Sequence, residues 1–304
     1  MDEIQGYYNS KGEVTEMREN QIMRVYDREE YERLRKFGIK HFEMEKQDRQ
    51  SYLDTVGDGG NYVWNYFVPE QNSYENVINA TVTRLVYLAT FINGDGYIAF
   101  DNGKIMSRNQ IRDKLKLDES TFKRFLRDAK EAEYLDEDDT GFRITSSKFS
   151  RGKLAKEGNQ RAAKLFIYSV RFLYEHATVT SHKTLAYLYL IMPYVNLTYN
   201  VVCENPLETD KNKVRKMTVV ELCDRLGLDI THSTRFINQL LKIQYPDRYG
   251  DKRSILVSVK DSKNDELREF LCVNPNLYSV FADKEKIYQI TGLSDIFMIE
   301  EGEF

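Results

Sequence analysis

Met106-Ser-Arg-Asn-Gln-Ile-Arg-Asp-Lys-Leu-Lys-Leu-Asp118 recurs 111 residues further on as Met217-Thr-Val-Val-Glu-Leu-Cys-Asp-Arg-Leu-Gly-Leu-Asp229. The Met, the first Asp, both Leu and the final Asp are identical, while Ser/Thr, Gln/Glu, Ile/Leu and Lys/Arg are conservative exchanges. Agreement at this spacing predicts a duplicated structural unit. Ser107 is a helix N-cap, and Thr218 with Glu221 three residues on is a capping box. Each short helix buries Ile111 and Leu115, or Leu222 and Leu226. It then stops at Leu-Lys-Leu-Asp or Leu-Gly-Leu-Asp, where Asp118 and Asp229 cap a second helix. Two helices with so brief a joint cross steeply, as in a helix-turn-helix.

Downstream of the first copy, Glu119 to Glu131 places Phe122, Phe125, Leu126 and Ala129 on one stripe and Ser120, Lys123, Arg124 and Arg127 on the other. Downstream of the second, Ile230 to Lys242 buries Phe236, Ile237, Leu240 and Leu241 and presents Thr231, Thr234, Arg235 and Asn238. Arg124 and Arg235 share one repeat position. A helix with this polar face suits the DNA major groove, where Arg pairs with guanine O6 and N7, Asn pairs with adenine N6 and N7, and the remaining cations meet phosphates. The plain alternative is a solvated cationic face.

A two-stranded wing is expected after each second helix. The first, Tyr134-Leu135 to Phe142-Arg143-Ile144, turns through Asp136-Glu137-Asp138-Asp139, and four carboxylates in a row repel phosphates, so this wing is expected to face away from DNA. The second, Ile255 to Val259 and Glu269 to Val273, is approached by Arg248, Lys252 and Arg253, which suit backbone contact. Upstream of each copy lies an apolar helix, Arg84 to Asn93 and Leu185 to Asn196, leading into an extended run. The second copy holds eight extra residues before Met217. The polar loop at 205–213 absorbs them.

The fold expected is mainly α with small β-hairpins, an α+β chain with tandem winged helix-turn-helix units joined by a helix. The expected divisions are an acidic N-terminal segment (1–75), a first unit (76–155), a connector helix (156–180), a second unit (181–282) and an acidic tail (283–304). In the connector, Lys156 to Ala177, the spacing of Ala163, Phe166, Ile167, Val170 and Leu173 predicts an amphipathic helix that links the units or pairs two protomers as a homodimer. Arg28 to Phe37 reads as a charged helix. Tyr62, Trp64 and Tyr66 alternate as in a strand, and their packing against neighbouring structure is favoured over base stacking.

At 304 residues with 41% hydrophobic content, the chain has enough apolar side chains for a sizeable core, and its net charge is -4. That total hides a division: residues 1–75 carry -6, residues 283–304 carry -4, and the stretch between carries +6. The basic footprint therefore coincides with the repeats.

The hairpin region Ile255 to Tyr278, ending in Val273-Asn274-Pro275-Asn276-Leu277-Tyr278, resembles the end of the winged helix in plasmid replication proteins of the RepL type. The stretch from Arg84 onward is similar to duplicated winged-helix proteins of Firmicute phages and plasmids. The chain departs from RepL in its duplication, its acidic first wing and Ser279-Val280 after the Asn-Pro turn. The resemblance implies DNA binding in the host-cell cytoplasm, as a replication initiator or a transcriptional regulator.

Other classes find little support. No run reaches the roughly 20 apolar residues of a spanning helix, and the N-terminus lacks signal-peptide order, so no membrane role and a cytoplasmic location are expected. Cys203, Cys223 and Cys272 lack zinc or disulfide spacing. Gly57-Asp58-Gly59 and Gly94-Asp95-Gly96 lack a calcium loop's final glutamate, having Asn65 or Asn102 there. His41, His176, His182 and His232 fit no metal motif, and no phosphate-binding glycine loop occurs. The chain is therefore expected to need no cofactor and not to be an enzyme. Its expected partner is double-stranded DNA; the rival reading is a module that binds a host replication or transcription protein through its acidic segments.

Overall fold

The computed structural model describes residues 7–8, 14–15, 62–71, 74, 77, 79–152, 154, 158–246, 252–263, 266–274 and 277–279. The chain divides into two compact units, Met1–Asp54 and Thr55–Phe304. In the first, β1 (Tyr7–Tyr8) pairs antiparallel with β2 (Val14–Thr15). The helix expected at Arg28 to Phe37 and the acidic tail lie outside the described residues.

The second unit is mixed α+β. Its first described strand is β3 (Tyr62–Phe67), followed by α1 (Asn79–Ala89). Every α1 residue from Ala80 to Ala89 is buried, the polar Thr81, Thr83 and Arg84 included, so this helix runs through the core. After α1 come α2 (Arg108–Lys114), α3 (Glu119–Glu131) and a hairpin of β4 (Leu135–Glu137) and β5 (Phe142–Ile144). Next are β6 (Phe149–Ser150), β7 (Arg161–Phe166) and α4 (Ile167–Glu175). The helical series then repeats as α5 (His182–Leu190), α6 (Val219–Arg225) and α7 (Ser233–Leu241). Two hairpins follow, β8 (Gln244–Pro246) with β9 (Lys252–Ser254) and β10 (Leu256–Lys263) with β11 (Glu266–Val273), and then β12 (Tyr278–Ser279).

The two copies match in their backbone bonding. After α1, the Asn93 Oδ1 accepts from the N–H groups of Asp95 and Tyr97, both at 3.0 Å. After α5, the Asn196 Oδ1 accepts from Thr198 and Tyr199, both at 2.9 Å. Each turn closes through a left-handed residue, Gly96 at φ 88° and Asn200 at φ 51°, residue types that tolerate this region. The extended residue that follows bonds to the hairpin: Ile98 N–H to Phe142 C=O at 2.9 Å, and Val202 N–H to Leu271 C=O at 2.8 Å. Met106 donates back to Ile98 and Met217 to Val202.

Both α2 and α6 start with a complete capping box, Ser107 with Gln110 and Thr218 with Glu221. The Gln110 half extends what the sequence predicted. Thr218→Ala removes one of these boxes and is expected to cost about 1 kcal/mol, read as a lowered midpoint of urea unfolding.

Four sequence expectations are corrected, the first being the helix expected from Arg84 to Asn93, which spans Asn79–Ala89. Residues 156–180 are not one helix: Arg161–Phe166 is strand β7, and the helix begins at Ile167. The aromatic strand β3 needs a partner, and β7 supplies it in register, Tyr62 opposite Phe166 and Asn65 opposite Ala163. From Ile167 on the helical spacing holds, and Ile167, Val170 and Leu173 are buried in the chain's own core. Next, the helix expected from Leu185 to Asn196 ends at Leu190 and tightens into a 3-10 turn over Met192–Tyr194, where Pro193 lacks the N–H to continue it. Similarly, the helix expected from Ile230 to Lys242 opens as a 3-10 turn over Ile230–His232.

One sheet, ordered β12-β7-β3-β6, joins residues from before the first copy, from its end, from between the copies and from after the second hairpin. One apolar core likewise runs through both copies, from Leu85 and Phe125 to Leu188 and Ile237. The copies meet where α1 packs on α5, the Thr83 hydroxyl donating to His182 C=O at 2.7 Å; α4 packs on α1 as well, Tyr174 stacking on Tyr87 with centroids 3.9 Å apart. In the aromatic row of β3, Tyr62 and Trp64 are half-buried. Tyr66 is buried, and the Lys164 Nζ lies 4.5 Å from the Tyr62 ring centroid and 5.5 Å from that of Trp64.

Candidate nucleic-acid interface

The stripe of α3 folds inward as its spacing demands, with Phe122, Phe125, Leu126 and Ala129 all buried. In α7, Ile237 and Leu240 are buried, while Phe236 and Leu241 are half-buried, Phe236 meeting Tyr187 edge-on at 4.7 Å. On the opposite faces Ser120, Lys123, Arg124 and Arg127 are exposed, and so are Thr231, Thr234, Arg235 and Asn238. The repeat thus brings eight sequence-selected side chains to four matched exposed positions.

Their bonding separates them into three kinds. Ser120 and Thr231 are engaged in capping: the Ser120 hydroxyl donates to Asp118 at 2.6 Å, and that of Thr231 to Asp229 at 2.7 Å. Donors to its oxygens, chiefly the Ser120 hydroxyl and then Thr121 N–H and hydroxyl, hold the Asp118 carboxyl well below the usual carboxylate range. Lys123 and Arg127 sit in surface ion pairs, Lys123 with Glu119 at 3.7 Å and Arg127 with Asp128 at 3.1 Å and Glu131 at 3.9 Å. Such exposed pairs are weak and yield readily to a stronger anion. Arg124 and Arg235 have no hydrogen bond or ion pair among the described residues, so both guanidinium forks are available to a ligand.

The four carboxylates of the β4–β5 hairpin do not act alike. Asp138 builds its turn, accepting from the Tyr97 hydroxyl at 2.6 Å, Thr140 N–H at 2.8 Å and Gly141 N–H at 3.1 Å. Glu137 pairs with Lys130 of α3. Asp136 and Asp139 are exposed with no partner among the described residues, and they supply the hairpin's uncompensated negative charge.

In the second copy, Lys252 and Arg253 belong to a separate hairpin, β8–β9, that enters between α7 and the long β10–β11 hairpin. Lys252 is exposed, Arg253 is half-buried, and Arg248 lies outside the described residues. The β10–β11 hairpin extends beyond the expected strands, pairing from Leu256↔Val273 to Lys263↔Glu266. A further group escaped the sequence reading, which treated residues 205–213 as an inserted loop. Lys211, Lys213, Arg215 and Lys216 are all exposed beside this copy, and the run Lys-Asn-Lys-Val-Arg-Lys was the available signal.

The three thiols are buried, and burial pushes those of Cys203 and Cys272 up to about 12. Among the described residues no group of three or more His, Cys, Asp or Glu is placed to hold a metal, and no helix is long and apolar enough to cross a membrane. No family model, curated protein or solved structure matches this chain. The resemblance at Ile255 to Tyr278 and from Arg84 onward therefore rests on those residues alone.

Proposed function

We propose that this chain is a sequence-specific double-stranded DNA-binding protein in which two winged helix-turn-helix units, α1 to β5 and α5 to β11, each present their second long helix to a major groove. The observation that carries this reading is the pair Arg124 and Arg235: one repeat position, twice exposed, twice unpartnered among the described residues, on helices whose opposite faces are in the core. An unpaired arginine fork on such a helix matches the acceptors O6 and N7 of guanine. Lys123 and Arg127 flank Arg124 as phosphate contacts, and Thr234 and Asn238 flank Arg235. With the resemblance to phage and plasmid winged-helix proteins, this favours a role in replication initiation or transcriptional control.

A salt titration tests the reading. Duplex affinity should fall steeply and linearly on a log-log plot, by close to one unit of slope for each phosphate contacted. A chain that binds no duplex at any salt concentration overturns it and favours a protein partner, which the exposed Asp136 and Asp139 would then serve.

The acidic wing provides a second test. Because Asp138 and Glu137 support the local structure, the informative variant is Asp136→Asn with Asp139→Asn. It should fold as the parent does and bind duplexes equally well or more tightly, since only repulsion of phosphates is removed. A large loss of affinity in gel-shift titrations of the folded variant would place this wing against DNA.

A further inference from the structure

We propose that Lys211, Lys213, Arg215 and Lys216 form a strap that grips duplex phosphates beside the second unit, an inference that rests on the duplex-binding reading. The first copy has no such element. There, Phe100 closes on Lys104 across a tight turn, Phe100 N–H to Lys104 C=O at 2.9 Å, and Asp101 pairs with Arg171. In the second copy the same connection, from Cys203 to Lys216, is lengthened and carries four cations where the first carries one, Lys104.

The lengthened connection has a fixed shape. Asn205 clamps it across its base, with Oδ1 accepting from Arg215 N–H at 2.8 Å and Nδ2 donating to Lys213 C=O at 3.0 Å. The Tyr199 hydroxyl donates to Thr209 C=O at 2.7 Å, and Asn196 Nδ2 to Glu208 C=O at 2.8 Å. Asp210 caps the 3-10 turn Lys211–Lys213. Cations on a preformed backbone lose less chain entropy on meeting a ligand than cations on a floppy loop.

Position and charge agree with this role. Val201 bridges Cys272 and Thr218 bridges Phe270, so the extended run leaves β11 in the direction of the hairpin's turn and returns directly into the N-cap of α6. The strap is therefore attached between β11 and the start of α6. The stretch from α7 to Lys242 exposes two cations, Arg235 and Lys242, where α3 exposes four. The strap makes up the difference in phosphate anchoring. Its internal ion pairs, Arg215 with Glu204 at 3.1 Å and Lys213 with Asp210 at 3.6 Å, are exposed and weak, Lys216 rests over the Phe270 ring at 4.1 Å, and Lys211 has no partner among the described residues.

The test uses the full chain with Lys211→Gln and Lys213→Gln together, binding isotherms on a preferred and a scrambled duplex across a salt series, and a melting curve. The expected result is a log-log salt slope shallower by about two on both duplexes, since each phosphate contact contributes close to one. The preference between duplexes and the melting midpoint should not change. Lys211→Arg with Lys213→Arg should keep the parent's slope. A glutamine variant with the parent's slope, or an arginine variant that loses it, overturns the strap. If the parent itself binds no duplex, the duplex-binding reading fails; if the parent binds and only the glutamine variant is silent, the strap alone fails.

Discussion

Arg124→Ala and Arg235→Ala are each expected to weaken binding to the preferred duplex by about 1 to 3 kcal/mol, the discrimination carried by one bidentate arginine–guanine pair. The two substitutions act on separate helices, so the double variant should lose close to the sum. Binding to scrambled duplexes should change little, because that binding is dominated by phosphate contacts. Neither substitution should unfold the protein, since both side chains are exposed and make no bond among the described residues. Lys123→Ala and Arg127→Ala should behave oppositely, weakening all duplexes alike and flattening the salt slope. Isotherms on both duplexes separate the two patterns. An Arg124→Ala chain that keeps the parent's discrimination would remove α3 from sequence reading.

The second large effect is a loss of stability in acid, centred on the contact between the copies. His182 is 2% exposed and Arg84 is 7% exposed; among the described residues the His182 Nδ1 and the Arg84 Nε have no hydrogen-bond partner. Tyr174 stacks on the His182 ring at 4.3 Å. Burial, and then the Arg84 charge, pushes the His182 pKa down to about 4. Its value in the unfolded chain is close to 6.5. As pH falls below about 6.5 the unfolded chain takes up this proton first, so unfolding becomes easier until the folded protein also takes it up near pH 4. Above that window His182 is neutral in both states and costs nothing of this kind. The whole shift corresponds to a stability loss of about 3 kcal/mol between pH 6.5 and 4. Urea unfolding at a series of pH values should show this slope in the parent and a flatter one in His182→Gln. Equal slopes would mean that His182 does not titrate against the fold.

Much of this architecture was legible because local and tertiary preferences agree where the repeat occurs. Ser107, Thr218, Asp118 and Asp229 are caps at the positions their residue types announce, and the Phe122-Phe125-Leu126-Ala129 stripe is buried as its spacing requires. The exposed residues of α3 and α7 followed from the same periodicity. What failed was information held in partners distant in sequence. The spacing from Ala163 to Leu173 fits a helix by itself, but the first part is drawn into a sheet by Tyr62–Phe67, about a hundred residues earlier. Lys252 and Arg253 looked like flanks of a wing because nothing local marks Gln244–Pro246 as the start of a separate hairpin. The Ser120 and Thr231 hydroxyls were chosen for their place on the polar face, yet both are held by the caps two residues before them. The basic strap was overlooked because a loop that accommodates an insertion is read as filler when its length, not its charge, is the question.

The central claim, that two units of one chain read one duplex, is tested most directly by selecting bound sequences from a pool of random duplexes with the parent, Arg124→Ala and Arg235→Ala chains. The expected outcome is a motif of two separated blocks, each containing a guanine, with one block lost in each variant and the other retained. Recovery of no enriched sequence by the parent, or of the same two-block motif by all three chains, would contradict it.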